Sequence, residues 1–203
     1  MTPEGEKVLC IPTESEFPNW QGISRAFTLG YIERLVHENG RFLERGGVEE
    51  DPSVKQIIPY VIFRHKDKYF LMQRLPNHKD ARLASKFSLG IGGHVNPEDL
   101  ERESIIDMAM REFSEEVNYS GSLEFSYLGL LYDGSDAVGQ VHLGVVLIAD
   151  GDSDQILVRN EHKQGKMLSF SEIGQYYENL EGWSRMVFDC LNSDETQNIG
   201  ATG

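Results

Sequence analysis

Glu112, Glu115 and Glu116 crowd the run Arg111-Glu112-Phe113-Ser114-Glu115-Glu116-Val117-Asn118-Tyr119. On a helix successive residues rotate by about 100°, which places the three carboxylates within an arc of roughly 100°. Like charges so close repel one another. A helix that keeps them either solvates them or uses them to hold a hard, oxygen-seeking cation such as Mg²⁺. Glu112 and Glu116, four residues apart, suit one ion, and Glu115 extends the cluster toward a second. A cation held there neutralises anionic oxygens and lowers the pKa of a bound water. Arg111 reads as the group that orients carboxylates such as Glu115, with contact to a substrate phosphate as the second reading.

The elements that must position this cluster are legible in outline. Phe87 to Val95 reads as a glycine-bearing strand carrying Gly92-Gly93, and it leads into the acidic helix. That helix is expected to start on Asn96 as N-cap, with Pro97 at its first position and Glu98 and Asp99 in its first turn. Its apolar stripe is Ile106, Ala109, Met110, Phe113 and Val117. Asn118 reads as its stop, in the left-handed conformation that asparagine tolerates.

With Glu103 eight residues before Arg111, these residues resemble the signature of the Nudix hydrolase family, G-x5-E-x7-R-E-U-x-E-E-x-G-U, where U is a bulky apolar residue. From Glu103 onward the spacing is kept. Two departures stand out: nine residues rather than five separate Gly93 from Glu103, and Asn118 replaces glycine. The four extra residues amount to about one helical turn, so the helix is expected to begin a turn early, at Asn96-Pro97.

The resemblance implies an α+β fold, an α/β/α sandwich with a mixed sheet between helices. It implies hydrolysis of a phosphoanhydride in a nucleoside diphosphate linked to another moiety, with Mg²⁺ or Mn²⁺ held by Glu112, Glu115, Glu116 and the Gly92 carbonyl. It further implies a loop glutamate as metal ligand or general base, for which Glu161 is the candidate and Asp133, Asp136 and His142 are rivals. Arg74, at the end of a strand, sits where similar proteins contact substrate. His94 reads as a packed histidine. The alternatives are a non-catalytic nucleotide sensor and an isoprenoid diphosphate isomerase; the latter employs an active-site cysteine, and Cys10 and Cys190 both lie far from the motif.

Around this centre, Lys7 to Pro12, Gln56 to Arg64, Tyr69 to Arg74, Leu123 to Tyr132 and Val141 to Ala149 read as strands. Ser24 to Glu38, Ser171 to Glu178 and Gly182 to Leu191 read as helices. The expected organisation is an N-terminal strand-helix extension (1–54), a hydrolase domain (55–191) and a flexible tail (192–203). The N-terminal helix either covers the sheet, pairs with a second subunit in a homodimer, or walls the substrate pocket. Trp20 and Phe17 are expected to pack, with stacking on a nucleobase as the second reading.

The chain carries 19 Lys+Arg against 33 Asp+Glu, a formal charge of −14, which argues against nucleic acid or an anionic membrane as partner. The expected partner is a small nucleotide or diphosphate, bridged by metal. No run reaches the roughly 20 apolar residues of a membrane span. Two cysteines with no CxxC spacing fit a reducing, cytoplasmic setting.

Overall fold

The computed structural model describes residues 5–13, 20–75, 83–101, 104–159 and 163–200, with backbone alone for 100, 101, 163 and 195–200. Glu103, Glu161 and Phe17 lie outside the described residues.

The chain runs through β1 (Lys7–Pro12), β2 (Gly22–Ser24), α1 (Leu29–Asn39), β3 (Arg41–Glu44), a short α2 (Arg45–Val48), β4 (Val54–His65) and β5 (Lys68–Arg74). There follow β6 (Phe87–Ser88), β7 (Gly90–Gly92), a 3₁₀ turn (Pro97–Glu101), α3 (Ile105–Glu116), β8 (Val117–Asn118) and β9 (Leu123–Tyr132). Then come α4 (Ala137–Gln140), β10 (His142–Gly151), β11 (Leu157–Val158), β12 (Lys163–Ser169), α5 (Phe170–Gly174) and α6 (Gly182–Gly200).

One mixed sheet organises the described residues, in the order β12-β5-β4-β10-β9-β2. β4 lies parallel to β10 from Gln56↔His142 to Arg64↔Asp150. Its other edge is shared in turn by β1, β7 and β5, all antiparallel. Strand side chains alternate between faces, and β4 divides its residues accordingly. Val61 and Phe63 pack with Ala109 and Phe113 of α3, and Ile57 packs with Ile32 of α1, whereas Tyr60 and Ile62 pack with Val187 and Leu191 of α6. Helices thus cover both faces, as the α/β/α expectation requires. Among the described residues no helix is long and apolar enough to cross a membrane.

The N-terminal segment is built into the sheet. Its strand β1 pairs with β3 and with the start of β4, and β2 pairs with β9. Of its expected roles, α1 takes the covering one, burying Ile32 against Leu9, Ile11 and Ile57. This helix starts at Leu29 instead of Ser24, because Thr28 supplies the N-cap and residues 22–24 extend along β9.

Three further expectations are corrected. The strand foreseen over Phe87–Val95 is two short pieces, in which a Cβ on Gly90 would strike the Tyr60 ring. The acidic helix does not begin at Asn96-Pro97. Pro97–Glu101 form the 3₁₀ turn instead, and α3 begins at Ile105 because Ser104 Oγ accepts from Asp107 N at 3.2 Å and donates to Asp107 Oδ2 at 2.7 Å. This start puts Ile105 and Met108 in the core and leaves Met110 38% exposed. Nor does Asn118 take a left-handed stop: Val117 is already extended, and Asn118 pairs with Leu157.

At the C-terminus, helix continues through Asn192 to Gly200, where a flexible tail was expected. No proline or glycine interrupts it before Gly200, and Asp194 is held by Arg25.

Candidate active site

The site forms where β7 runs past the sheet toward α3. Gly93 follows the strand, and its missing side chain is a spatial requirement, since a Cβ there would collide with the Glu112 carboxyl group. Gly92 is equally constrained: a Cβ would come within 2.7 Å of the Pro59 carbonyl oxygen and 2.9 Å of the Tyr60 ring.

Arg111 gathers this region together. Its Nε donates to Asp99 Oδ1 at 2.6 Å, Nη1 to Glu115 Oε2 at 2.8 Å, and Nη2 to Glu112 Oε1 at 2.6 Å and the His94 carbonyl at 3.0 Å. Burial lowers the Arg111 pKa, but the hydrogen bonds to Asp99 and Glu115 and the charge of Glu112 outweigh it and hold the pKa above its ordinary value. Burial raises the Glu112 carboxyl above its usual range; Arg111 opposes this, and repulsion from Glu115 and Glu116 adds to it. The three glutamates therefore share one field. Among the described residues, no three His, Cys, Asp or Glu side chains already surround a point that could hold a metal ion. Glu112 and Glu115 are instead turned onto Arg111.

A cleft of about 530 Å³ opens beside Gly92, Gly93 and His94. Its opposite wall comes from Glu181, Gly182 and Trp183 at the start of α6. The Trp183 indole is set edge-on against Tyr60, with ring centroids 5.4 Å apart, and Tyr60 Oη bonds Ser184 Oγ at 3.0 Å. Those contacts lock α6 against β4 and fix the shape of the wall. Arg74 also lines the cleft, where its Nε donates to Glu181 Oε1 at 2.8 Å.

The rivals to Glu161 all reach this cleft. Asp133 accepts from Gln21 Nε2 at 2.7 Å and Ser135 N at 3.1 Å, and Asp136 caps α4 through Gly139 N at 2.7 Å. His142 Nδ1 lies 2.6 Å from the Val138 carbonyl, which can only accept, so His142 carries its proton on Nδ1. Its Nε2 is then an acceptor, 3.3 Å from His94 Nε2, which also lies 2.9 Å from Gln56 Oε1. Burial, then repulsion from Arg45 and His142, lowers the His94 pKa to about 3; burial likewise lowers that of His142. Both imidazoles are neutral, and these groups are committed to shaping the wall.

Glu112, Glu115 and Arg111 are thus brought together, Gly92 and Arg74 line the adjacent cleft, and the Glu116 charge is felt at both Glu112 and Arg74. Asp99, Trp183 and Glu181 were not singled out from sequence. Asp99 is hidden in an ordinary-looking helix start, and the other two lie more than sixty residues beyond the motif.

No protein-family model matches the chain. Protein YmaB of Bacillus subtilis (strain 168) is 32% identical over 200 residues, covering 92% of this chain and 97% of that protein. The crystal structure of Tm1382, described as a candidate Nudix hydrolase, superposes with a TM-score of 0.79 at 30% identity, over 92% of this chain and 98% of that one. The Nudix domain of Shewanella oneidensis NrtR, solved with ADP-ribose, shares the fold: its TM-score is 0.54 at 15% identity, over 69% of this chain and 88% of that one. The chain belongs to the Nudix hydrolase family.

Proposed function

We propose that this protein is a metal-dependent pyrophosphohydrolase whose substrate is a nucleoside diphosphate linked to a second moiety. The observation that carries the reading is the Glu112 carboxylate, 13% exposed, pressed against Gly93 at the edge of the cleft, held by Arg111 and repelled by Glu115 and Glu116. A carboxylate in that position gains most from a neighbouring cation.

The donor set suits Mg²⁺ or Mn²⁺. Glu112, Glu115, Glu116 and the Gly92 carbonyl offer oxygen alone, the ligand that hard divalent ions prefer. Glu115, with a side chain 58% exposed, exchanges its contact with Arg111 for an ion at little cost. When bound, the metal supplies charge neutralisation on the phosphate oxygens and an acidified water.

The chain's own residues supply the rest. Arg111 orients Glu112 and Glu115, the neutral His94–His142 pair keeps the wall beside Gly93 uncharged, and Tyr60 and Trp183 offer apolar surface to the group carried by the diphosphate. Arg74 serves the substrate while Glu181 holds it in place. In this proposal Glu161 is the loop carboxylate that removes the proton from water.

The experiment is a panel of nucleoside diphosphate sugars, dinucleoside polyphosphates, nucleoside triphosphates and ADP-ribose with Mg²⁺, read as phosphate released by a coupled phosphatase. Turnover of at least one diphosphate-linked compound, abolished by EDTA, is expected. Turnover that persists in EDTA contradicts the reading.

A further inference from the structure

The upstream carboxylate of the signature has two possible registers in this chain. Glu103 keeps the distance to Arg111. Asp99 keeps the distance to glycine, because five residues, His94 to Glu98, separate it from Gly93.

The geometry around Asp99 is that of a positioning group. Its side chain is 1% exposed, and a carboxylate so buried is strongly destabilising unless paired. Both of its oxygens are engaged: Oδ1 accepts from Arg111 Nε at 2.6 Å, and Oδ2 accepts from the Asn96 backbone N–H at 2.9 Å. One oxygen therefore holds the guanidinium, and the other holds the loop that descends from Gly93. A guanidinium is planar, so fixing Nε sets the plane in which Nη1 and Nη2 point. Those two nitrogens carry Glu115 and Glu112. Among the described residues three carboxylates meet Arg111, and of these Asp99 is the most buried, against 13% exposure for Glu112 and 58% for Glu115. It is the anchor, and the other two are what it aims.

We propose that Asp99 is the positioning carboxylate of this site, standing where the signature has its first glutamate: it locks Arg111, Arg111 aims Glu112 and Glu115, and the four extra residues follow it at 100–103. The catalytic consequence rests on the metal-dependent reading given above; the positioning itself does not.

The test compares D99N, D99E and E103Q with E98Q, which removes an exposed carboxylate from the same turn. Mn²⁺ affinity is read by the electron paramagnetic resonance of the free ion, kcat and KM by turnover, and folding by circular dichroism. D99N is expected to bind Mn²⁺ about tenfold or more weakly, with a similar loss of kcat, the range for removing a residue that orients a metal ligand. KM is expected to stay near its wild-type value, D99E to recover part of the loss, and E98Q to behave as wild type. Wild-type Mn²⁺ affinity and kcat in D99N overturn the proposal, as does the same loss appearing in E103Q and not in D99N. Should D99N fail to fold, D99E carries the test, since it keeps the charge and misplaces it by one methylene; wild-type behaviour of D99E then overturns the proposal.

A wild-type protein that binds no Mn²⁺ would sink the metal reading alone. The decision on Asp99 then passes to the Arg111 Nε–H resonance. A slowly exchanging signal in wild type that is lost in D99N supports the proposal, and an unchanged signal overturns it.

Discussion

The carboxyl group of Glu112 lies where a side chain at Gly93 would begin. Gly93 is therefore needed for space, and G93A must displace Glu112 from the cleft edge. Misplacing a reacting group by about 1 Å costs on the order of 100-fold in rate. G93A is expected to lose about that much kcat while its circular dichroism and melting profile stay close to wild type. Wild-type turnover in G93A would show that Glu112 works from elsewhere.

Arg74 and Glu181 form a pair whose side chains are only 20% and 10% exposed. Burial lowers the Arg74 pKa, and Glu181 more than restores it. Removing one member strands the other charge, whereas removing both does not. R74A is expected to lose about 3 kcal/mol in urea unfolding, and R74A/E181A to lose less than R74A alone. A double variant at least as unstable as R74A would show that the pair is not coupled.

Asp152 predicts an acid transition on the far side of the sheet from the cleft wall of α6. The Tyr119 hydroxyl, at 2.7 Å, and then the Ser122 hydroxyl lower its pKa from 3.8 to about 2. A group whose pKa is depressed by folding stabilises the fold above its unfolded pKa, and that contribution fades as pH falls through the folded value. The urea midpoint is therefore expected to fall between pH 4 and pH 2, with a shallower fall in D152N. Identical slopes would remove Asp152 from the account.

Cys10 reports on whether the N-terminal segment is part of the sheet. It lies in β1 between Arg41 and Gln56 and is 1% exposed. Burial, then the Asp51 charge, raises its thiol pKa to about 11. In a C190S background, Cys10 is expected to react with a disulfide reagent at pH 8 only as fast as the protein unfolds. Rapid labelling without unfolding would mean that β1 detaches on its own.

The strands were the most legible elements. β1 and β9 fall on the expected bounds: Val8 to Ile11 form an apolar run buried on both faces of β1, and Leu123, Phe125 and Tyr127 alternate with exposed residues at the start of β9. Helix starts were harder, since Asn96-Pro97 and Ser104 both satisfy the local rules for a cap. Tertiary structure decides between them: Asp99 must turn inward to reach Arg111, and that breaks the helix before Ser104. The acidic cluster itself was readable from spacing. Its anchor was not, because Asp99 and Glu103 keep complementary halves of the same signature. Trp183 and Glu181 reach the cleft only through the packing of α6 on β4, for which the motif holds no signal. In the helical continuation past Asn192, Asp194 meets Arg25, a partner 169 residues away that no local pattern announces.

On the proposed function, Glu112, Glu115 and Glu116 hold a divalent ion that the reaction requires. The most direct test of this is the Mg²⁺ dependence of phosphate release by wild type and E116Q at matched melting temperature. Turnover is expected to saturate with Mg²⁺ in wild type and to fall by about a thousandfold or more in E116Q, as when a group stabilising transition-state charge is removed. E116Q that retains wild-type turnover at low Mg²⁺ would contradict it.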